Sequence, residues 1–380
     1  MSRKNCRNNT KVFFVLLRAG QWQNVNKNDN FDENLFRGLG WGEVQKLAEE
    51  QSVVGLVTAG VEGLSVCGIP LTDKLTLLGK CQLLEQRNAA MNNFVAELVQ
   101  KLHETGIKAV LLKGQGVAQC YAKPQWRLSG DVDLLLDEEN YKKAKDVLLP
   151  IASDSGKEFE YNQHQSLTIG LFTIELHGSQ RCGLSSRMDA VIDEVQQDIF
   201  ENGKVRTWMN SNVPVNLPAP DEDVILVFTH FLKHFYKGGL GLKQICDWCR
   251  LLWTYRGTID LPLLESRLRE MRLVSEWKAF AAFAVVYLGM PIEAMPLYSS
   301  EKKWKRKSKR ICSFIMGVGN MGHNRDMSYY NTKPYLIQKV ISLRYRCVDL
   351  LHHMAIFPLD SIRFFPRIMI NGLRSAARGE

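Results

Sequence analysis

From Lys80 to His103 the apolar residues Leu83, Leu84, Met91, Phe94, Val95, Leu98 and Leu102 recur three and four apart, as on one face of a helix, and Gly106 is the stop. The pattern then shortens. Ile107 to Leu112, bounded by Gly106 and Gly114, fits a buried strand, and Gly114 to Tyr121 reads as the first turns of a helix that Pro124 ends. After a Ser129-Gly130 loop, Asp131 to Asp137 reads as a second strand. Val132 and Leu134 take one face, and Asp131, Asp133 and Leu135 take the other. Glu138 to Leu149 is predicted helical. Ser166 to Ile169 and Leu171 to His177 are predicted strands about Gly170, with Thr173, Glu175 and His177 facing away from Phe172, Ile174 and Leu176. From about Asp189 onward the prediction is mostly helix, clearest at Val224 to Tyr236, Leu242 to Tyr255, Leu261 to Leu273 and Val274 to Leu288. The expected fold class is α+β, a small α/β core between helices with a large helical C-terminal region. Its predicted divisions are an N-terminal helical region 1–104, an α/β core 105–184, a helical cleft domain 185–300 and a basic helical region 301–380.

Composition narrows the class. The chain has 380 residues, 45% hydrophobic and 23% charged, which excludes a disordered polymer and permits a large core. The formal net charge of +9 is uneven, because residues 301–380 carry 16 basic and 5 acidic residues while the first 300 are nearly neutral. Nine cysteines, at 6, 67, 81, 120, 182, 246, 249, 312 and 347, show no repeated spacing, and the single Cys246-x-x-Cys249 has no second pair to complete a zinc site. The apolar run Val12 to Leu17 is too short for a signal-peptide core, and Ala279 to Met290 is too short to span a membrane. These features predict a protein of the reducing cytoplasm without a transmembrane segment.

The chemistry concentrates in three strings: Leu112-Lys113-Gly114-Gln115-Gly116, then Arg127 through Asp131-Val132-Asp133, then Ile174-Glu175-Leu176-His177. Carboxylates at i and i+2 of one strand have Cα atoms about 6.5 to 7 Å apart and point the same way, so they can converge on a hard cation with a third from a neighbouring strand. Magnesium suits such a site because it binds carboxylates together with substrate phosphates. Gly114 and Gly116 let a backbone approach phosphate, with Lys113 as a point charge beside them, and Arg127 is either a surface arginine or a phosphate contact. Glu175 and His177 could instead be exposed positions of an edge strand.

The ordered set resembles the DNA polymerase β-like nucleotidyltransferase superfamily, and the strings Leu-Lys-Gly, Arg-x-x-Gly-Asp-Val-Asp-Leu-Leu and Ile-Glu-Leu-His resemble its little-characterised bacterial NTP_transf_5 branch. His230-Phe-Leu-Lys-His234 and Gly241 through Asp247-Trp resemble the helical segment that follows in that branch. The resemblance implies a small mixed β-sheet with flanking helices, and transfer of a nucleoside monophosphate from a nucleoside triphosphate to an acceptor, dependent on one or two Mg²⁺ ions with Mn²⁺ as a substitute. It implies Asp131 and Asp133 as metal ligands and Glu175 as the third acid. Phosphates would be held by Lys113, Gly114, Gln115, Gly116 and Arg127, although Gln115 stands where the wider superfamily has serine or glycine. The alternative is a nucleotide- or polyanion-binding protein that keeps the fold without turnover.

The acceptor is not legible. His177, His230, His234 and Asp247 are cleft candidates. His230 and His234 are spaced to share zinc but lack the glutamate of the zinc-protease motif, so lining a cleft or packing between helices is preferred; Asp247 and Lys243, four apart, would pair or face the same cleft. Lys302, Lys303, Lys305, Arg306, Lys307, Lys309 and Arg310 form a basic run that is either solvated or a contact for an anionic membrane surface or nucleic acid. Leu343 to Arg378 alternates arginines with apolar residues, as at a membrane interface or in helices packed on the core.

Overall fold

The computed structural model describes residues 3–23, 33–36, 39–64, 69–159, 163–326 and 328–377. Helices α1 (Arg3–Gln21), α2 (Trp41–Glu50), α3 (Val54–Gly63) and the long α4 (Leu71–Glu104) lead in. Gly20 and Gly60 are where α1 and α3 cross, so closely that a Cβ on either would strike the other helix's backbone. The chain then builds β1 (Val110–Leu112), α5 (Gly114–Ala118), β2 (Val132–Leu135), α6 (Glu138–Leu148), β3 (Asp154–Ser155), β4 (His164–Ile169) and β5 (Phe172–His177). Asp137 caps α6 by accepting from the Asn140 amide, and Gly170, at φ 60°, turns β4 into β5.

The five strands form one mixed sheet in the order β1-β2-β5-β4-β3, with β2 and β5 parallel and the other neighbours antiparallel. Alternation along each strand separates two environments. Leu111, Val132, Leu134, Ile174 and Leu176 pack with Met91, Val95 and Leu98 of α4 and Tyr141 of α6 into one apolar core. Asp133, Glu175 and His177 take the opposite face. The α+β class expected from the sequence is therefore the architecture found. Glu175 and His177 sit on a central strand, not at an edge.

Past α7 (Ser186–Phe200) the mostly helical expectation is interrupted: β6 (Val205–Asn210) and β7 (Val213–Pro218) form a hairpin, joined through Ser211 and Asn212 at φ 49° and 69°. Two successive positive φ values suit a two-residue hairpin turn. Pro214 and Pro218 disguise the pattern, since proline cannot donate to a ladder and survives only where nothing pairs beyond it. Then follow α8 (Pro220–Lys237), α9 (Leu242–Thr254), α10 (Leu261–Met271), α11 (Val274–Leu288), α12 (Lys302–Val318), the short α13 (Tyr329–Thr332), α14 (Tyr335–Met354) and α15 (Pro358–Ala377). A second, larger core joins α1 to α3 with α8 to α12 and α15 through Phe13, Trp22, Phe228, Trp248, Trp277 and Phe364. Among the described residues no helix is long and apolar enough to cross a membrane. Seven cysteines are free thiols; Cys67 lies outside the described residues and the side chain of Cys6 is not described.

Candidate active site

The polar face of the sheet and helices α8 and α9 enclose a cleft of about 530 Å³, within the range that holds small ligands. Parallel pairing of β2 with β5 puts Asp133 beside Glu175 and Leu135 beside His177, so the backbone register itself assembles the acidic wall. Asp131 precedes β2 on the same face. Lys113 Nζ lies 3.0 Å from Asp133 Oδ1, and His177 Nε2 lies 2.8 Å from the same oxygen and 3.4 Å from Glu175 Oε2. His164 Nε2, from β4, is 3.2 Å from that Glu175 oxygen. Lysine, two histidines and two carboxylates thus form one continuous chain of contacts.

These contacts set the charges. Burial pushes the Asp133 carboxyl up, but Lys113 and the His177 hydrogen bond outweigh it and hold it at about 2. Hydrogen bonds from His164 and then His177 hold Glu175 well below the usual carboxylate range. Asp131 goes the other way, raised by burial and by the like charges of Asp133 and Glu175. It accepts no hydrogen bond among the described residues. Among the described residues, His164, Glu175 and His177 bring potential ligand atoms within 4.8 Å of one another, which Asp131, Asp133 and Glu175 do not. His164 was missed by sequence reasoning. Its signal lay in the β4–β5 pairing, which sets His164 opposite His177.

The facing wall is cationic. His230, Lys233 and His234 share one face of α8, and Lys243 and Asp247 share one face of α9, at spacings of three and four. Lys113 donates to His230 Nδ1 at 3.3 Å, which leaves the His230 Nε2–H to donate to His234 Nε2 at 3.0 Å. Both imidazoles are kept neutral: burial and Lys113 lower His230 well below its ordinary value, and burial and Lys233 bring His234 to about 3. Lys233 and Lys243 line the cleft with no carboxylate within ion-pair distance among the described residues. Burial lowers both ammonium groups, assisted at Lys233 by Lys113 and at Lys243 by Arg127.

Other candidates fall elsewhere. Lys243 does not pair with Asp247, because Arg127 does so first, through Nε and Nη2 at 2.8 and 2.7 Å, while Tyr121 donates to the same carboxylate at 2.8 Å. Arg127 is buried and is not a surface arginine. It also donates to Ser129 Oγ, which ties the loop before β2 to α9. In the glycine turn only Lys113 and Gly114 reach the cleft. Lys113 adopts φ 50°, a strained value for a side-chain-bearing residue, and Gly114 follows at φ 39°. Gln115 turns inward to donate to Asn88 Oδ1 at 2.9 Å, and a Cβ at Gly116 would strike Leu217 of β7.

Residues 37–289 match the family described as uncharacterised nucleotidyltransferase, NTP_transf_5. Among solved structures, an antigenic nucleotidyltransferase-like protein from Paracoccidioides brasiliensis is similar at 16% identity, covering 53% of this chain and 93% of that one with a TM-score of 0.32. No curated protein matches the chain. Because the family match takes in the whole sheet, both walls of the cleft and helices α2 through α11, the chain belongs to the NTP_transf_5 family of uncharacterised nucleotidyltransferases.

Proposed function

We propose that the protein is a magnesium-dependent nucleotidyltransferase that moves a nucleoside monophosphate from a triphosphate onto an acceptor. The observation that carries this is the pairing of walls: carboxylates from β2 and β5 on one side of the cleft, and, on the other, Lys233 and Lys243, which have no carboxylate partner among the described residues. An anion with an attached divalent cation complements both. The donor set fits magnesium, since Asp131, Asp133 and Glu175 are hard oxygen ligands and the repulsion raising Asp131 is what a cation would relieve. Bound there, the ion would neutralise charge on the phosphates and on the attacking oxygen.

The chain's own residues do the rest. Lys233 and Lys243 hold phosphate oxygens, and Lys113 is placed to bridge phosphate and Asp133. His177 donates to Asp133 and, with His164, keeps Glu175 ionised, which suits a ligand better than a proton acceptor. Arg127 and Asp247 fix the spacing between β2 and α9. Positioning and charge neutralisation are what phosphoryl transfer chiefly requires.

The inward turn of Gln115 leaves no serine-like donor in the glycine loop, and this favours a second reading, nucleotide binding without turnover. Incubation with labelled triphosphates, magnesium and a cell extract separates the two. Transfer predicts pyrophosphate release and a labelled acceptor, both reduced on the order of 10²- to 10³-fold in Asp131→Asn and Asp133→Asn. Tight nucleotide binding with no release in the unaltered protein would overturn transfer.

A further inference from the structure

Helices α14 and α15 are amphipathic in an inverted sense: each buries part of one face in the body and presents an apolar stripe on the opposite side. In α14 the exposed positions Ile337, Val340, Val348 and Leu351 share one face with exposed Arg344, while Asp349 and His353 point into the protein. In α15 the same spacing recurs, with Leu359, Ile362, Ile370 and Leu373 exposed around Pro366, while Ser361, Phe364 and Ile368 are buried. Both stripes step by 3, 4, 4 and 3 residues, which keeps them within one narrow arc of a helix. The exposure is substantial: Val340 is 66% exposed, Leu351 67%, Leu359 80% and Leu373 65%.

The surroundings are cationic. Arg310 of α12 hydrogen-bonds the Ala355 carbonyl, and Lys307 Nζ lies 4.6 Å from the Phe357 ring centre, so the basic run abuts the turn between α14 and α15, with Leu351 and Leu359 on either side of that turn. Lys302, Lys303, Lys305, Arg306, Lys309 and Arg310 are exposed on α12. Three acids of this region pair with basic residues, Asp349 with Arg325, Asp360 with Arg363 and, at the surface, Glu301 with Lys303, while Asp326 is exposed.

We infer that α14, α15 and the basic face of α12 form a docking surface for an anionic lipid membrane, on which the protein lies without crossing. Apolar side chains flanked by lysine and arginine suit the boundary between acyl chains and anionic headgroups. A second copy of the chain would bring cation against cation. Nucleic acid would leave the aliphatic stripes in water, and they offer no aromatic residue to stack on a base. This inference is independent of the reaction in the cleft.

The test is sedimentation of the full chain with vesicles of phosphatidylcholine alone or containing about a third phosphatidylglycerol, at low and high salt. Binding is expected only to the anionic vesicles. It should fall at least tenfold in Lys305→Glu/Arg306→Glu/Lys309→Glu and severalfold in Leu359→Gln/Ile362→Gln, with unchanged unfolding midpoints because all five positions are exposed. No vesicle binding, equal binding to both compositions, tighter binding to RNA, or a dimer abolished by Leu359→Gln/Ile362→Gln would each overturn it.

Discussion

The two walls of the cleft solve the problem of burying charge in opposite ways. On the sheet wall, Lys113, His177 and His164 lie against Asp133 and Glu175, so that the charge of these two carboxylates is compensated within the protein, while Asp131 beside them accepts no hydrogen bond among the described residues. On the helical wall, Lys233 and Lys243 carry desolvation with no carboxylate in contact among the described residues. A compensated wall holds its shape alone, whereas an uncompensated one costs stability that a ligand must return. Under the proposed function, the uncompensated wall is the one that would meet the incoming anion.

The largest effect is expected where the walls join. Arg127→Ala strips the buried Asp247 carboxylate of its cationic partner and should cost about 3 to 5 kcal/mol of folding stability, read from urea unfolding. A loss below about 1 kcal/mol would mean that this pair does not hold the two walls together.

Next come the cleft lysines. Removing a charge-assisted contact from Lys233→Ala or Lys243→Ala should weaken magnesium–triphosphate binding roughly 10- to 100-fold, measured by calorimetry, while thermal stability stays level or rises. A parallel loss of stability would show that these lysines have structural partners and would erase the contrast.

A smaller effect sharpens the same point away from the cleft. His353 is packed against Phe235, Tyr236 and Phe314, and burial lowers it to about 3 despite a bond to the Phe235 backbone. The folded state keeps it neutral, while the unfolded chain takes up a proton below about 6.5. Its stabilising contribution is therefore complete above that value and is lost as pH falls from about 6.5 toward 3, close to 2 kcal/mol by pH 5. Unfolding midpoints of His353→Leu should be correspondingly less sensitive to pH between 7 and 5 than those of the unaltered chain.

The sheet wall was legible in the sequence because strand alternation is a local rule. Val132 against Asp133 and Ile174 against Glu175 announce both faces without reference to the rest of the chain. The helical wall was only half legible. Spacing put His230 with His234 and Lys243 with Asp247, but whether Lys243 pairs with Asp247 depends on Arg127, which lies 120 residues away in sequence. His164 escaped because its place follows from strand register, and the β6–β7 hairpin escaped because its prolines mimic a loop. Long-range competition for a partner leaves no periodic trace.

The most direct measurement is a crystal structure with a non-hydrolysable nucleoside triphosphate and manganese, located by anomalous scattering. A metal peak among Asp131, Asp133 and Glu175, with the triphosphate against Lys233 and Lys243, is the predicted result. Nucleotide bound outside the cleft, or metal held by His164 and His177 without Asp131 and Asp133, would contradict it.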